Sequence, residues 1–240
     1  MSPAPNCFID FLFQSYILVG MYHSATSGKA AGGERRDPQR TRERLLQAAF
    51  QEIYRSGYRG TDLDTILHTA GVTKGAMYHH FENKEALGYA VVDEIIAGLG
   101  QEMWWSPLKN AVNPIDALIG IIRSVSLKRS DVRCGCALNN LSQEMSPLDE
   151  GFRKRTAKLF WKWQDAIASA LRNGKKRGMV RSDVHPEEMA SFLIATYEGY
   201  ISLAKSHQDA TVLQDGQEAM ISFLESLRAP RSRKRAAGSQ

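Results

Sequence analysis

Residues 61–84 constrain the fold of this chain more than any other segment. They read T-D-L-D-T-I-L-H-T-A-G-V-T-K-G-A-M-Y-H-H-F-E-N-K, which predicts two short helices joined by a three-residue turn. We expect Thr61 to cap the first helix, Gly71 to supply a positive φ in the turn, and Thr73 to cap the second helix. Asn83 is expected to cap a third helix in the same way. Two helices across so short a turn are typical of a helix-turn-helix that reads DNA.

The second of these helices, from Lys74 to about His80, is expected to turn one side to the protein and the other outward. Met77 and Phe81 lie one turn apart on its apolar side. The opposite side is polar, so it can place side chains against base edges in a major groove. The third helix then offers its positive N-terminus, together with Lys84, to a phosphate group.

This segment and the amphipathic stretch of residues 40–60 before it closely resemble the N-terminal domain of the TetR/AcrR family of transcriptional regulators. The family pattern is a glycine, an aromatic residue and a threonine, followed by A-G-V-[ST]-K-G-x-[LFM]-Y-x-[HY]-F and x-[SN]-K-[ED]-x-L. The chain matches it at Gly57, Tyr58, Thr61, residues 70–81 and residues 83–87. The resemblance implies an all-α protein with a three-helix DNA-binding domain and a C-terminal helical bundle for ligand binding and dimerisation.

The resemblance also implies which residues contact DNA. It assigns phosphates to Thr61, Tyr78, His80 and Lys84, and base edges to Thr73, Lys74, Gly75, Ala76 and His79. Basic clusters beside such a domain add attraction to phosphates that does not depend on sequence. The first cluster comprises Arg35, Arg36, Arg40, Arg42 and Arg44, and the second comprises Arg228, Arg231, Arg233, Lys234 and Arg235. A solvated tail is an equal alternative for the second cluster.

The 240-residue chain is long enough for two modest domains, and its 43% of hydrophobic residues can form a buried core. We predict a flexible or mis-annotated arm at 1–37, the DNA-binding domain at 38–87, a ligand-binding and dimerisation domain at 88–228, and a basic tail at 229–240. The three cysteines are too few for a secreted disulfide framework. The apolar run at residues 8–19 is too short to span a bilayer. A cytoplasmic protein without a membrane partner is therefore expected.

Hydrophobic spacing predicts helices over most of the second half. They are expected at about 84–104, 115–130, 136–144, 147–176, from residue 186 onward, and 215–227, with a break marked by Pro107 and Pro114 and a loop at 131–135. In the family, the long penultimate helices pair with those of a second subunit. Here they would be about 152–175 and 186–205. A homodimer could then address two half-sites about 34 Å apart, or a multiple of that distance.

Large aromatic and methionine side chains cluster in this half of the chain. They favour an apolar pocket between helices for a small-molecule effector, with a few polar partners. The candidate ligand contacts are Trp104, Asn139, Asn140, Glu144, Phe160, Trp163, Phe192 and Tyr197. Each of the apolar residues among them could instead be a core or dimer contact.

Cys136 follows Cys134 and Gly135 just before a predicted helix. A helix N-terminus can lower the pKa of a thiol, which makes Cys136 a redox candidate. The segment G-C-A-L-N-N-L-S-Q-E resembles one in sub-branches of the family, including regulators that sense electrophiles through a thiol. The alternative is that Cys136 is a small buried hydrophobic residue.

Motifs of enzymes are not found: there is no phosphate-binding glycine loop, no G-x-S-x-G and no H-E-x-x-H. Ser202 and Lys205 match S-x-x-K spacing without its companion motifs. The adjacent His79 and His80 point about 100° apart on a helix, so they cannot chelate one metal ion. We therefore expect neither an enzyme nor a cofactor nor a metal site.

The prediction is a homodimeric repressor that binds a palindromic double-stranded DNA operator and is released by a small-molecule effector. Two alternatives remain open. One is a redox- or electrophile-sensing repressor that acts through Cys136. The other is a helical adaptor that does not bind DNA.

Overall fold

The computed structural model describes residues 37–125 and 127–230, and this part of the chain is mostly helical. The helices are α1 (Pro38–Ser56), α2 (Leu63–Ala70), α3 (Lys74–Tyr78), α4 (84–109), α5 (Pro114–Ser124), α6 (Arg129–Cys134), α7 (Ala137–Met145), α8 (Glu150–Lys176), α9 (Pro186–His207) and α10 (Ala210–Ser226). The predicted all-α fold is confirmed. Residues 1–36 of the predicted arm and 231–240 of the predicted tail lie outside the described residues.

The start of α1 is determined locally. Asp37 accepts hydrogen bonds from the backbone N–H groups of Gln39 and Arg40, and Pro38 occupies the first turn, where its missing N–H costs nothing. The inner face of the helix, including Leu45 and Phe50, is fully buried. The next two helices pack against this face.

The predicted turn between α2 and α3 is confirmed. Gly71 has a φ of 59° and ends α2 in the left-handed conformation. Thr73 accepts from the Ala76 N–H at 3.2 Å, and Asn83 accepts from the Ala86 N–H at 2.7 Å, so both cap their helices as expected. The expected Thr61 cap is wrong. Asp62 precedes α2, and the buried Thr61 hydroxyl donates to the Gly57 carbonyl at 2.6 Å.

The helix α4 is continuous but not uniform. Its segments are Lys84–Ala90, Val91–Ile96, Ala97–Gly100, Gln101–Trp105 and Ser106–Lys109, of which the second and fourth are π-helical. The helix continues past Pro107 to Lys109, about five residues beyond its predicted end. The predicted break lies between Pro107 and Pro114, at residues 110–113, and Asn113 then caps α5.

Other boundaries also differ from the expectation, since α5 ends at Ser124 and not at about residue 130. The stretch 131–135 was expected as loop, yet α6 runs through Arg129–Cys134 and ends at Gly135, which has a φ of 75°. The last helix begins at Ala210, about five residues earlier than expected, because Asp209 accepts from the Thr211 N–H and caps it there. The starts of α7 and α9 agree with the predicted positions to within one residue.

The helices α8, α9 and α10 pack together, and one hydrophobic core continues from them into the N-terminal helices. Phe152 at the start of α8 is fully buried, with its ring 4.6 Å from the Tyr58 ring and 4.8 Å from the Tyr89 ring. The two halves of the protein are therefore packed directly against each other. Within 37–125 and 127–230, none of the helices combines the length and apolar character needed to span a membrane.

Candidate nucleic-acid interface and internal cavity

One side of α3 faces solvent, and the other side is anchored in the core. Met77 is fully buried, and Phe81 beyond it is buried too. The polar residues predicted to contact DNA are on the outside: Thr73, Lys74, Gly75, Tyr78 and His79 are exposed, and Ala76 and His80 are half-buried. The predicted base-contacting residues thus share one continuous solvent-facing surface.

Gly75 has no structural role that the described residues reveal. A Cβ atom built on it meets no other atom within 4 Å, although a glycine inside a helix costs about 1 kcal/mol relative to alanine. Packing inside the protein therefore does not require a glycine here. An outward-facing glycine permits another molecule to approach the backbone closely.

Two of the side chains predicted to contact phosphates instead make hydrogen bonds within the protein. Lys84 donates to the carbonyl oxygens of Thr61 and of Tyr58, the latter at 2.8 Å, and its ammonium lies 4.5 Å from the centre of the Tyr58 ring. Burial lowers the pKa of Lys84. The Thr61 hydroxyl donates its only hydrogen to the Gly57 carbonyl, so this side chain cannot donate a hydrogen bond to a phosphate. Arg40, by contrast, is exposed at the start of α1.

The arginine cluster of α1 is likewise only partly available. Arg42 makes a two-point ion pair with Glu94 of α4 and lies over the Phe81 ring. Arg44 donates to the carbonyl oxygens of Ala70 and Gly71 and so satisfies the C-terminus of α2. The expectation that both arginines attract phosphates is corrected, because their guanidinium groups hold the DNA-binding domain together.

Glu144 connects the C-terminal half of the protein to the DNA-binding domain. Its carboxylate accepts from the backbone N–H groups of Tyr58 and Arg59, both at 2.8 Å. Gly57 has a φ of 77°, and an added Cβ there would lie 2.9 Å from the Glu144 carboxylate, so a glycine is needed at this contact. Glu144 was predicted to contact a ligand. Its carboxylate instead accepts hydrogen bonds from the turn after α1.

A cavity of about 180 Å³ lies between α4, α6, α7, α8 and α9. Its wall is mainly apolar and contains three of the predicted ligand contacts, Trp104, Trp163 and Tyr197. Their rings pack on one another, with centres 4.6 Å apart for the two tryptophans and 5.2 Å and 5.7 Å from these to the tyrosine. Cys136 lies in the same wall.

The other predicted ligand contacts lie elsewhere. Asn139, Asn140 and Glu144 line a neighbouring cleft of about 800 Å³ between the end of α1 and helices α7 and α9. Asn140 is occupied there, since it donates to the Cys134 carbonyl and accepts from Lys205 at 2.8 Å. Phe160 stacks on Trp163 but is not part of the cavity wall. Phe192 is half exposed and packs on Phe223 at the surface.

Sequence reasoning missed Glu198, a buried carboxyl in the middle of α9. It is 7% exposed, and neither oxygen makes a hydrogen bond of good geometry with any described residue. Burial raises its pKa to about 7, although the neighbouring Cys136 thiol and Asn139 amide oppose the rise. The signal that could have found it is an acid placed directly after Tyr197, which the sequence assigned to the inner face of this helix.

Cys136 lies at the N-terminus of α7, as the sequence predicted, but its chemistry differs from the expectation. Burial raises the pKa of its thiol well above the usual value, and the adjacent Glu198 carboxyl raises it further. The expectation of a low-pKa thiolate is therefore wrong in direction. The N-terminus of α7 lowers the pKa of this thiol, but burial beside an acid raises it by more.

We expect Glu198→Gln to stabilise the protein more at about pH 8 than at about pH 5. The folded protein keeps this proton up to about pH 7, whereas the unfolded chain releases it near 4.5. The free energy of unfolding of the native sequence should therefore fall as pH rises through this window, and a neutral glutamine avoids the fall. Urea unfolding should show the advantage of the variant growing by about 2 to 3 kcal/mol between the two pH values. Glu188→Gln, at an exposed position on α9, is the control, and an equal pH dependence of both variants would contradict the expectation.

The geometry defines a helix-turn-helix protein with an apolar cavity between its helices, and comparison with known proteins identifies its family. Residues 45–91 match the model of "Bacterial regulatory proteins, tetR family", and residues 112–220 match that of "Tetracyclin repressor-like, C-terminal domain". The chain belongs to the TetR family of DNA-binding transcriptional regulators. This family consists of regulators and not of enzymes.

Several relatives are described as repressors. The HTH-type transcriptional repressor DhaR of Mycobacterium sp. (strain GP1) is 33% identical over 161 residues, which is 67% of this chain and 80% of that protein. The repressor NemR of Escherichia coli (strain K12) is 28% identical over 161 residues, 66% of this chain and 81% of that protein.

Solved structures show the same fold. A TetR transcriptional regulator from Chloroflexus aurantiacus superposes with a TM-score of 0.73 and 29% identity, over 82% of this chain and all of that one. The reduced form of E. coli NemR superposes with a TM-score of 0.70 and 27% identity, over 80% of this chain and 98% of that one.

Proposed function

We propose that this protein is a homodimeric cytoplasmic repressor that binds a palindromic operator through α3 and leaves it when a small molecule enters the cavity. The observation that carries the proposal is the outer surface of α3, where Lys74, Tyr78 and His79 flank an unobstructed Gly75. Such a surface can enter a major groove closely, and the exposed Arg40 at the start of α1 is proposed to contact the phosphate backbone.

Dimerisation is proposed through the outer faces of α8 and α9. Trp161 is 69% exposed, and Phe192 and Leu203 are each 50% exposed on these helices. Gly199 lies on the same side of α9, and an added Cβ there meets no atom within 4 Å. Large apolar side chains around a small residue allow a second subunit to pack its helices closely. The twofold axis of such a dimer would be matched by a palindromic operator.

Release requires that the cavity and the DNA-binding domain are mechanically connected, and α7 supplies a connection. Cys136, Ala137 and Leu138 at its start line the cavity, and Glu144 near its end holds the Tyr58 and Arg59 backbone. A second contact lies close by, where the Tyr54 hydroxyl donates to the Gly135 carbonyl at 2.6 Å. A ligand that moves α7 would reposition α1 and, through it, α3. The coupling is the difference in ligand affinity between the two arrangements, about 1 to 3 kcal/mol.

We expect Glu144→Ala to weaken the effect of an effector on operator binding by at least about fivefold, because it removes a large part of this coupling. Two backbone N–H groups lose their partner, so α7 no longer holds the turn after α1. Operator affinity would be measured with and without effector for the native protein and the variant. Gln143→Ala, at an exposed position on the same helix, should keep the full response. An unchanged response in the Glu144 variant would contradict the proposed route.

The experiment that tests the regulator itself is fluorescence anisotropy on DNA from upstream of its own gene, against scrambled DNA, at 50 and 200 mM salt. A dimer that neutralises about 6 to 10 phosphates should lose about 10³- to 10⁵-fold in affinity between these concentrations. Affinity that is tight, salt-sensitive and specific for the upstream DNA supports the proposal. Equal affinity for upstream and scrambled DNA would contradict the proposed operator, and operator affinity that is unchanged in Tyr78→Ala would contradict the proposed role of α3.

A thiol-based sensor is the second candidate, since Cys136 lines the cavity. The raised pKa of its thiol argues against it, because the thiolate is the reactive form. We expect iodoacetamide at neutral pH to modify Cys136 at least about tenfold more slowly than it modifies a free cysteine in solution. Mass spectrometry of the Cys136 peptide measures the rate. An equal or faster rate, with loss of an oxidant response in Cys136→Ser but intact DNA binding, would favour the thiol sensor.

A further inference from the structure

The cleft between the end of α1 and helices α7 and α9 contains a cation without an acidic partner. Lys205 of α9 is half-buried and lines this cleft of about 800 Å³. Among the described residues its ammonium has one hydrogen-bond acceptor, the neutral side-chain oxygen of Asn140 at 2.8 Å. An ammonium has three N–H donors, so two remain for water or for another molecule. A partly buried positive charge is stabilised more by an acid than by a neutral amide, so this site favours an anion.

The other charged residues of the lining do not balance Lys205. Arg55 of α1 forms an ion pair with Glu52 at 3.3 Å, and the Glu144 carboxylate accepts two backbone N–H groups of the turn after α1. Within α9 the nearest acid is Glu198, about two turns away, and burial raises the pKa of its carboxyl to about 7. The Lys205 ammonium is therefore the unmatched charge of the cleft.

The rest of the lining favours a small organic acid over an inorganic anion. Hydroxyl and amide groups of α7 and α9 supply further hydrogen-bond donors, and they belong to Asn139, Gln143, Ser202 and Ser206. Apolar side chains of α1 and α7, among them Ile53, Tyr54 and Leu141, line the same cleft. A ring or short chain can pack on these while its carboxylate reaches Lys205. A phosphate dianion would instead bring a second negative charge toward Glu144 without a second unpaired cation.

The size and the position of the cleft are those of a ligand site. Small-molecule sites commonly occupy about 300 to 1,000 Å³ and occur preferentially where domains meet, and this cleft lies between the DNA-binding domain and the C-terminal helices. The neighbouring apolar cavity does not suit an acid, because no lysine, arginine or histidine of the described residues lines it.

We propose that the cleft binds a small organic monocarboxylate, with its carboxylate on the Lys205 ammonium and its apolar part against the side chains of α1 and α7. Such a molecule would contact both halves of the protein, so its binding would be linked to the position of the DNA-binding domain. The role of this molecule as an effector rests on the proposed function, whereas its binding does not.

Benzoate is the probe, and benzamide is its neutral analogue. NMR titration of the DNA-free protein would measure both affinities. We expect benzoate to bind with a Kd of about 1 mM or below, and at least about tenfold more tightly than benzamide, because only benzoate forms a charge-assisted hydrogen bond with the ammonium.

The first variant removes the charge of Lys205. Lys205→Met keeps an unbranched side chain, so it should weaken benzoate about tenfold or more and leave benzamide within about twofold of its native affinity. Lys176→Met is the matched control. Lys176 is exposed at the end of α8 and does not line the cleft, so neither affinity should change.

A second pair of variants leaves the contacts of Lys205 in place. Ser202 is exposed in a single chain and lies three residues before Lys205 on the same face of α9. The carboxylate of Ser202→Asp would pair with the ammonium and repel the probe, so benzoate affinity should fall about fivefold or more. Ser202→Asn has nearly the same size as the aspartate variant without its charge, so benzoate affinity should stay within about twofold of the native value.

The proposal is overturned if benzoate does not bind at about 10 mM, or if benzamide binds as tightly as benzoate. It is also overturned if either Lys205→Met or Ser202→Asp keeps the native affinity for benzoate, since the probe would then bind elsewhere. Tighter binding of phenyl phosphate than of benzoate would exclude the monocarboxylate. Operator binding without benzoate tests the proposed function separately, because it needs no ligand.

Discussion

Gly75→Leu should reduce operator affinity by about 100-fold or more while leaving the protein folded. The leucine side chain would project from the exposed side of α3, where nothing in the described protein meets it. On DNA it would hold the helix away from the base edges and remove one or two base contacts in each half-site, each worth about 1 to 3 kcal/mol. Leucine also favours helix more than glycine does, so thermal unfolding should show equal or greater stability.

Gly120→Leu is the matched control for this substitution. Gly120 is an exposed helical glycine of α5, and an added Cβ meets no atom within 4 Å there either. It lies outside both proposed interfaces, so operator affinity should stay within about twofold of the native value. Equal operator affinity in the Gly75 and Gly120 variants would show that α3 does not enter the groove.

Gly199→Leu should convert the dimer to a monomer at micromolar concentration. The proposed interface brings a second subunit against α9 at this position, and close packing there tolerates little added volume. Loss of the dimer also removes the second half-site contact, so operator affinity should fall at least about 100-fold. Sedimentation velocity measures the assembly state, and anisotropy measures the binding.

The same Gly120→Leu protein serves as control and should remain dimeric. Because residue 199 is exposed in a single chain, the leucine should not disturb folding of the subunit. A dimeric Gly199→Leu protein with native operator affinity would exclude this face of α9 as the interface. The dimer would then have to form elsewhere.

The parts of the structure that could be predicted from sequence depend on near neighbours in the chain. Gly71, Thr73 and Asn83 form their turn and caps through contacts within four residues, so the motif alone determines them. Helical spacing likewise gave the all-α fold and the starts of α7 and α9.

The errors about Arg42 and Glu144 arise because a distant part of the chain decides the role of each side chain. Arg42 looks like a free cation in sequence, but Glu94, 52 residues later, pairs with it. Glu144 looks like a cavity polar group until its contact with Tyr58, 86 residues earlier, is seen. Spacing along one helix carries no information on such partners.

The candidate site shows the same limit. Trp104, Trp163 and Tyr197 could be selected from sequence because large aromatic side chains favour pocket walls. Burial of the Cys136 thiol beside Glu198 could not be predicted from sequence, since it depends on how α7 packs against α9. The pKa effect expected from the helix N-terminus was therefore reversed by a tertiary contact.

The measurement that tests the central claim most directly is hydroxyl-radical footprinting of the protein on DNA from upstream of its own gene. A dimer with one α3 in each half-site should protect two patches related by a twofold axis, with centres about 34 Å apart or a multiple of that distance. The protection should disappear for Gly75→Leu and persist for Gly120→Leu. A single unsymmetrical patch, or protection that the Gly75 substitution leaves unchanged, would contradict the account.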